Sequence, residues 1–529
     1  MCPKHIIYLL SKQTDYRTST KIKLMLKQTR RILAIVFVLG ITLLFLDFTG
    51  TVQPFMGWMA KLQFLPSILA LNFVSIGIVL ISTLLLGRIY CSVVCPLGVL
   101  QDFFAWIGKW RIFRKSKRAK FANRYSYSKP KTWLRLGVLL LFIIMLATGF
   151  NAGAIFLAPY STYGRMVASL LQPIYIGINN LLALWSEAND IFMFYQVEPH
   201  NNPTLLVIIS AATMLILFVL AFMHGRTYCN TICPVGTLLG FFSRFSLLAP
   251  VIDTSKCNGC GLCARNCKAA CISSKEHKID LSRCVACFDC IDNCHKHAIS
   301  ITRRKKQHSE ADHAETTGNV SESRRNFLTA VGAVTAASVL KAQEKTVDGG
   351  LAVIHDKKVP VRATRIVPPG AVGLRHLAQH CTACQLCVAA CPNGVLRPSS
   401  SAESFMQPES SYERGYCRPE CTRCSEVCPA GAIKPIGRDD KSSIQIGHAV
   451  WVADNCIPLT DGVECGNCAR HCPAGAIKMV RSDASNPESL RIPVVNEERC
   501  IGCGACENLC PARPFSAIYV EGHKIHRTI

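Results

Sequence analysis

Most of the 30 cysteines in this 529-residue chain stand in runs, with two or three residues between neighbours. Thiols so close in sequence rarely bridge each other well, whereas thiolates converging on one point suit a metal or iron–sulfur site. CNGCGLCARNC (257–267) and CVACFDCIDNC (284–294) both read C-x2-C-x2-C-x3-C. Two-residue spacers let three side chains face one cavity, and the fourth cysteine reaches a neighbouring cube, so such runs work in pairs. The expected ligands are Cys257, Cys260, Cys263 and Cys294 for one 4Fe-4S cluster, and Cys284, Cys287, Cys290 and Cys267 for the other. Lys268 and His295 replace the usual proline after the fourth cysteine, and Cys271 offers a competing thiolate, which leaves the fourth ligand open. Zinc ribbons use two separated C-x2-C knuckles instead of compact paired quartets.

Four further quartets follow. They are Cys381, Cys384, Cys387 and Cys391; Cys417, Cys421, Cys424 and Cys428; Cys456, Cys465, Cys468 and Cys472; and Cys500, Cys503, Cys506 and Cys510. The middle two have longer first spacers but keep the C-x2-C-x3-C-P ending. Six quartets predict six 4Fe-4S clusters. There is no C-x-x-C-H haem signature and no convincing G-x-G-x-x-G loop, so the chain has no catalytic residue to assign.

An internal repeat holds four more cysteines. GRIYCSVVCPLG starts at Gly87 and GRTYCNTICPVG at Gly225, supplying Cys91, Cys95, Cys229 and Cys233. Matching residues of pseudo-symmetric copies tend to meet at a shared interface. The four thiols are read as one tetrathiolate site, holding a further cluster, or as redox thiols beside a quinone pocket; the alternative is a structural turn stopped by Pro96 and Pro234. With these, only Cys2 and Cys271 lack a role.

The surroundings of these residues indicate a membrane. Segments 32–48, 64–86, 133–156 and 204–223 have the length and apolarity of spanning helices. Net charge is +25, with eight Lys/Arg against one acid in 1–31 and eleven against one in 88–132, but one Arg against three acids in 151–203. Basic blocks beside apolar runs follow the positive-inside pattern, not that of a nucleic-acid binder. Four crossings put the N-terminus, 87–132 and everything after Met223 in the cytoplasm, with 49–63 a short outer loop. Segment 166–185, broken by Gln172, Pro173, Asn179 and Asn180, is expected at the outer interface.

The expected architecture is an α-helical membrane domain of four transmembrane helices (1–250) with two α+β ferredoxin-like 4Fe-4S modules. A cytoplasmic two-cluster module covers 251–301, a polar linker 302–322, and a four-cluster module 345–529. Between the last two, 323–344 opens with S-R-R-N-F-L (Ser323 to Leu328), a twin-arginine signal before a weak apolar run. A cluster-bearing module is assembled in the reducing cytoplasm and needs a route for folded proteins to cross. A signal in mid-chain therefore separates a cytoplasmic module from a periplasmic one in a multi-pass inner-membrane protein. Leu-Lys-Ala before Gln343 is a passable cleavage site.

On these motifs, residues 1–301 resemble the NapH/MauN-type membrane ferredoxin proteins, and 323–529 resemble the NapG/MauM-type periplasmic ferredoxins; the chain looks like a fusion of the two. The resemblance implies electron transfer in anaerobic respiration, from the membrane quinone pool to a periplasmic reductase or cytochrome acceptor. It also implies possible quinol dehydrogenase activity, with Arg88, Arg226 and Tyr160 available to a quinone site or as interfacial anchors. By analogy with four-cluster subunits, the outer motifs (Cys381 and Cys500 groups) are expected to share ligands, and likewise the inner two. A rival from another class is an accessory polyferredoxin that matures or reactivates a respiratory metalloenzyme.

Overall fold

The computed structural model describes residues 3–108, 125–148, 151–190, 193–197, 203–303, 347–348, 352–353 and 356–529. The twin-arginine stretch and nearly all of the linker lie outside the described residues.

Among the described residues, three helices are long and apolar enough to cross a membrane: Met25–Leu46 (the end of the longer helix Pro3–Leu46), Pro159–Ala188 and Thr204–His224. One expected span is interrupted within the described residues. Segment 64–86 divides into Phe64–Leu69 and Phe73–Leu86, because Leu71 turns to φ +52° and Asn72 restarts the helix by accepting from the Ser75 amide. Segment 133–156 contains helices Thr132–Thr148 and Asn151–Leu157, with 149–150 outside the described residues.

Two surface expectations also change. Residues 49–63 are not merely an outer loop. Helix Gln53–Lys61 packs against the first helix, with the Met59 sulfur 2.6 Å from where a Cβ on Gly40 would sit. Segment 166–185 belongs to the 30-residue helix Pro159–Ala188, which contains a π-helical turn at Val167–Leu171. Its contacts nevertheless keep it near one end of the first helix: Tyr160 packs on Phe45 at 5.9 Å and Tyr175 on Phe48 at 6.0 Å.

The cysteine-rich modules are built from short helices and two-stranded antiparallel sheets. Leu248–Ile252 pairs with Ile299–Arg303, so the first module begins at 248 and reaches 303, slightly wider than 251–301. In the second, Ile444–Trp451 pairs with Ile518–Thr528, Ile477–Arg481 with Arg491–Val495, and Leu396–Pro398 with Pro408–Ser410.

The modules occupy opposite ends of the apolar helices. On the first helix Lys27 ion-pairs with Asp289 and Asp292 of the first module. Phe45, 18 residues on, lies against Gly164 beside the Cys384 carbonyl of the second module. At 1.5 Å per residue that separation is roughly 27 Å, close to the ~30 Å hydrocarbon core of a bilayer. Helix Thr204–His224 repeats the arrangement: Leu206 packs with Ala383 and Met406, and beyond its other end the Arg226 amide donates to Lys268 O at 2.9 Å.

Candidate metal centres

In four quartets the middle cysteine is flanked by left-handed residues: Gly259 and Gly261, Ala286 and Phe288, Ala383 and Gln385, Gly502 and Gly504. The chain reverses twice, which brings three thiols to one cavity. Ala286, Phe288, Ala383 and Gln385 each accept a conformation costing an L-residue roughly 1–2 kcal/mol, a strain that persists only where the surroundings hold it. The two quartets with longer first spacers need no such turn; Thr422 sits at φ −112°.

The fourth thiol of each set comes from elsewhere. In the first module Cys263 lies within electrostatic range of Cys257, Cys260 and Cys294, and Cys290 within range of Cys287, Cys284 and Cys267. In the second, Cys387 faces Cys381, Cys384 and Cys428, while Cys424 faces Cys417, Cys421 and Cys391. Cys468 faces Cys456, Cys465 and Cys510, and Cys506 faces Cys500, Cys503 and Cys472. The expected sharing between outer motifs and between inner motifs is therefore corrected: adjacent motifs exchange their last cysteines, first with second and third with fourth. Short sheets within each half hold those neighbours together.

The residues fit cubes. One small cavity is walled by Cys267, Cys284, Cys287 and Cys290 with Ile272, Ile279, Val285 and Phe288. A second is walled by Cys456, Cys465, Cys468 and Cys510 with Trp451, Pro493 and Ile518. Each joins three thiols of one run to the last of its neighbour in an apolar pocket. Among the described residues no three His, Cys, Asp or Glu side chains close on a single ion; in a cube each thiolate bonds its own iron. The fourth cysteines also accept backbone amides, Ala298 to Cys294, Ala476 to Cys472 and Ala517 to Cys510 at 3.3 Å, and Ile433 to Cys428 at 3.5 Å. Such bonds to sulfur help set a cluster's potential.

The repeat motifs also converge. Cys91, Cys95, Cys229 and Cys233 are all buried, Cys95 within range of Cys91 and Cys229, and Cys233 within range of the other three. Each motif's arginine serves the other copy: Arg88 donates to Cys229 O at 3.1 Å, and Arg226 to Cys91 O at 2.5 Å. The glycine ending each motif permits this approach. A Cβ on Gly98 would lie 2.2 Å from Cys91 O, and one on Gly236 2.3 Å from Cys229 O. Gly98→Ala and Gly236→Ala should each cost about 1–3 kcal/mol of overpacking, read as a lowered Tm with the iron of both modules retained.

Known proteins are similar to part of this chain. The ferredoxin-type protein MauM, named for methylamine utilization, of Methylobacillus flagellatus is 30% identical over 168 residues, 30% of this chain and 70% of its own length. MauM of Methylophilus methylotrophus is 32% identical over 168 residues, 72% of its length. The ferredoxin-type protein NapG of Escherichia coli is 30% identical over 177 residues, 31% of this chain and 75% of its own. The chain belongs to the MauM and NapG family of ferredoxin-type proteins. The likeness lies in the C-terminal part, so this family member carries an iron–sulfur electron-transfer module. A family model described as a 4Fe-4S binding domain matches 69–116 and 206–250, around the repeat motifs. Models described as 4Fe-4S dicluster domains match 380–433, 463–513 and 280–395. The first two of these three enclose the cysteines that adjacent motifs exchange; the third joins runs that lie at opposite ends of the apolar helices. No solved structure matches.

The ferredoxin-type chain fixes its first module to the helices through charge. Asp102 faces Arg226 Nη2 at 2.8 Å, Arg30 at 3.3 Å and Lys268 at 3.5 Å, and Lys268 also reaches Asp289 at 3.1 Å. Burial raises the Asp289 pKa, but Lys268 and Lys27 outweigh it and hold the carboxyl below its usual range. Reasoning from the sequence passed over Asp102; a lone acid among eleven basic residues was the available clue.

Cys271 Sγ lies 3.6 Å from Cys267 Sγ, and its thiol bonds Cys267 and Cys284. Those bonds lower the Cys267 pKa and raise that of Cys271. Either sulfur could donate across that contact, and Cys267, which faces Cys290 with Cys284 and Cys287, is the expected ligand. Cys271→Ala should keep the full iron content and shift a cluster potential, whereas Cys267→Ala should lose iron; the opposite pattern would make Cys271 the ligand.

Proposed function

We propose that this chain is an inner-membrane electron conduit, with four apolar spans built from two copies of one unit. It takes electrons from quinol, or from a cytoplasmic donor through the first module, to a periplasmic acceptor through the second. Six 4Fe-4S clusters held by the 24 quartet cysteines are the resting places for the electrons, one at a time. The protein's own residues supply thiolates, apolar walls that keep water away, and amides that tune the sulfurs. The twin-arginine stretch exports the second module after its clusters are assembled.

One observation carries this reading. Three thiols of each run gather with the last thiol of the adjacent run, and modules built this way cap both ends of the apolar helices. Anaerobically purified protein should hold about four iron atoms per predicted cluster and be bleached by reduction. Quinol analogues should reduce the clusters in membranes at turnover rates. Iron-poor, colourless protein would sink the cluster assignment. Iron-replete protein that quinol never reduces, but a cytoplasmic reductant does, would remove quinol and leave the conduit.

A further inference from the structure

Centres at the two ends of the helices are useful only if electrons can pass between them, and the described residues trace a route. At the first module's end, Arg88 donates to Ser282 O at 3.2 Å, next to the Cys284 run, and comes within 3.8 Å of the Cys91 sulfur. Asn230, beside Cys229, donates to Ala269 O at 3.0 Å, within the segment that carries Cys267 and Cys271. The repeat motifs therefore reach the segments around the Cys284 cavity through Arg88 and Asn230.

Towards the other end stand two tyrosines. Tyr90, the residue before Cys91, lies within electrostatic range of Cys91, Cys95 and Cys233, and its hydroxyl donates to Gln63 Oε1 at 3.1 Å. Tyr160 lies within range of Tyr90 on one side and of Cys384 and Cys428 on the other. It is 2% exposed, and its hydroxyl has no hydrogen-bond partner among the described residues. The approach is close because Gly164, one turn on, leaves no room for a side chain: a Cβ there would lie 2.5 Å from Cys384 O.

From the Cys384 set the route continues. Cys387 is within range of Cys424, and the Cys417 amide donates to Cys503 O at 2.9 Å, linking the second set to the fourth. Cys510 then joins the fourth run to the third set. The spatial order in the second module is first, second, fourth, third, unlike the order in sequence.

We propose that the thiolate site of Cys91, Cys95, Cys229 and Cys233 is a redox centre on a continuous electron path between the two modules, with Tyr160 filling the gap between it and the set of Cys381, Cys384, Cys387 and Cys428. This rests on the reading of the quartets as cluster sites. Each step moves one electron: the donor centre is oxidised by one, the next is reduced by one, and no bond forms or breaks. Tyr160 is a positioning residue, supplying packed atoms across the gap and undergoing no redox change.

The test uses the full chain in sealed proteoliposomes with the C-terminal module outward and dithionite, a membrane-impermeant one-electron reductant, outside. Electron paramagnetic resonance then follows the inward-facing Cys257 and Cys284 clusters. In the wild type they should be reduced without detergent. Tyr160→Leu should slow that reduction by roughly tenfold or more at unchanged iron content and unchanged reduction of the outer clusters, whereas Tyr160→Phe should stay near wild type. Cys91→Ala/Cys229→Ala should abolish it and lower iron, with the outer clusters still reduced. Inner clusters of the wild type that respond only after detergent would overturn the path. A Tyr160→Leu rate equal to wild type would remove Tyr160 from it, and undiminished transfer in the double variant would remove the thiolate centre. Failure of the clusters to form or respond on either side would be failure of the cluster reading itself, a separate result.

Discussion

Cys381→Ala and Cys428→Ala should each remove or degrade the same cluster, although 47 positions separate them, and the double variant should lose no more than either alone. Losing one thiolate ligand releases at most about four iron atoms per chain, because each cube is held by four thiolates. Cys456→Ala and Cys510→Ala should behave as a second such pair. The crossed combination Cys381→Ala/Cys510→Ala should lose two clusters, since non-additivity marks residues that share a site. Iron and sulfide counts with low-temperature spectra decide the matter. If Cys381 and Cys510 proved the non-additive pair, exchange between outer motifs would be restored and the adjacent pairing lost.

Asp102→Ala carries the largest expected stability effect. The carboxylate sits between Arg226, Arg30 and Lys268, and Arg226 is fully buried. Removing one member of a buried ion network leaves the others uncompensated, typically at about 3–5 kcal/mol. Because Arg226 also holds Cys91 O, the damage should extend to the repeat site. The expected result is a large drop in Tm in detergent, together with loosened attachment of the first module. Asp102→Asn should recover part of the packing but not the charge. A Tm unchanged by Asp102→Ala would show that the network contributes nothing net.

The cysteine runs made the candidate sites legible in the sequence, because ligand spacing is a local property of the chain. The exchange between Cys267 and Cys294 follows from the same logic: only one neighbouring run was available. With four runs in the second module, several exchanges satisfy the spacing equally, and the choice falls to sheets and turns far apart in sequence. Analogy pointed to the wrong one. The apolar segments were legible as lengths of hydropathy, but a window of apolar residues does not register the turn at Leu71. Nor does it show that Met59 packs against Gly40. From the sequence Tyr160 reads as a candidate for quinone or for anchoring; its place beside Cys384 depends on docking between halves of the chain that spacing does not encode.

The reciprocal arginines fix a timetable for biogenesis. Arg88 completes the loop of a copy whose Cys229 lies 141 residues later, and Arg226 completes the earlier one. While the ribosome is still delivering the second copy, the first is an unfinished half-socket. Whatever the four buried thiols hold needs both copies in place first, whereas each ferredoxin module needs only its own adjacent runs.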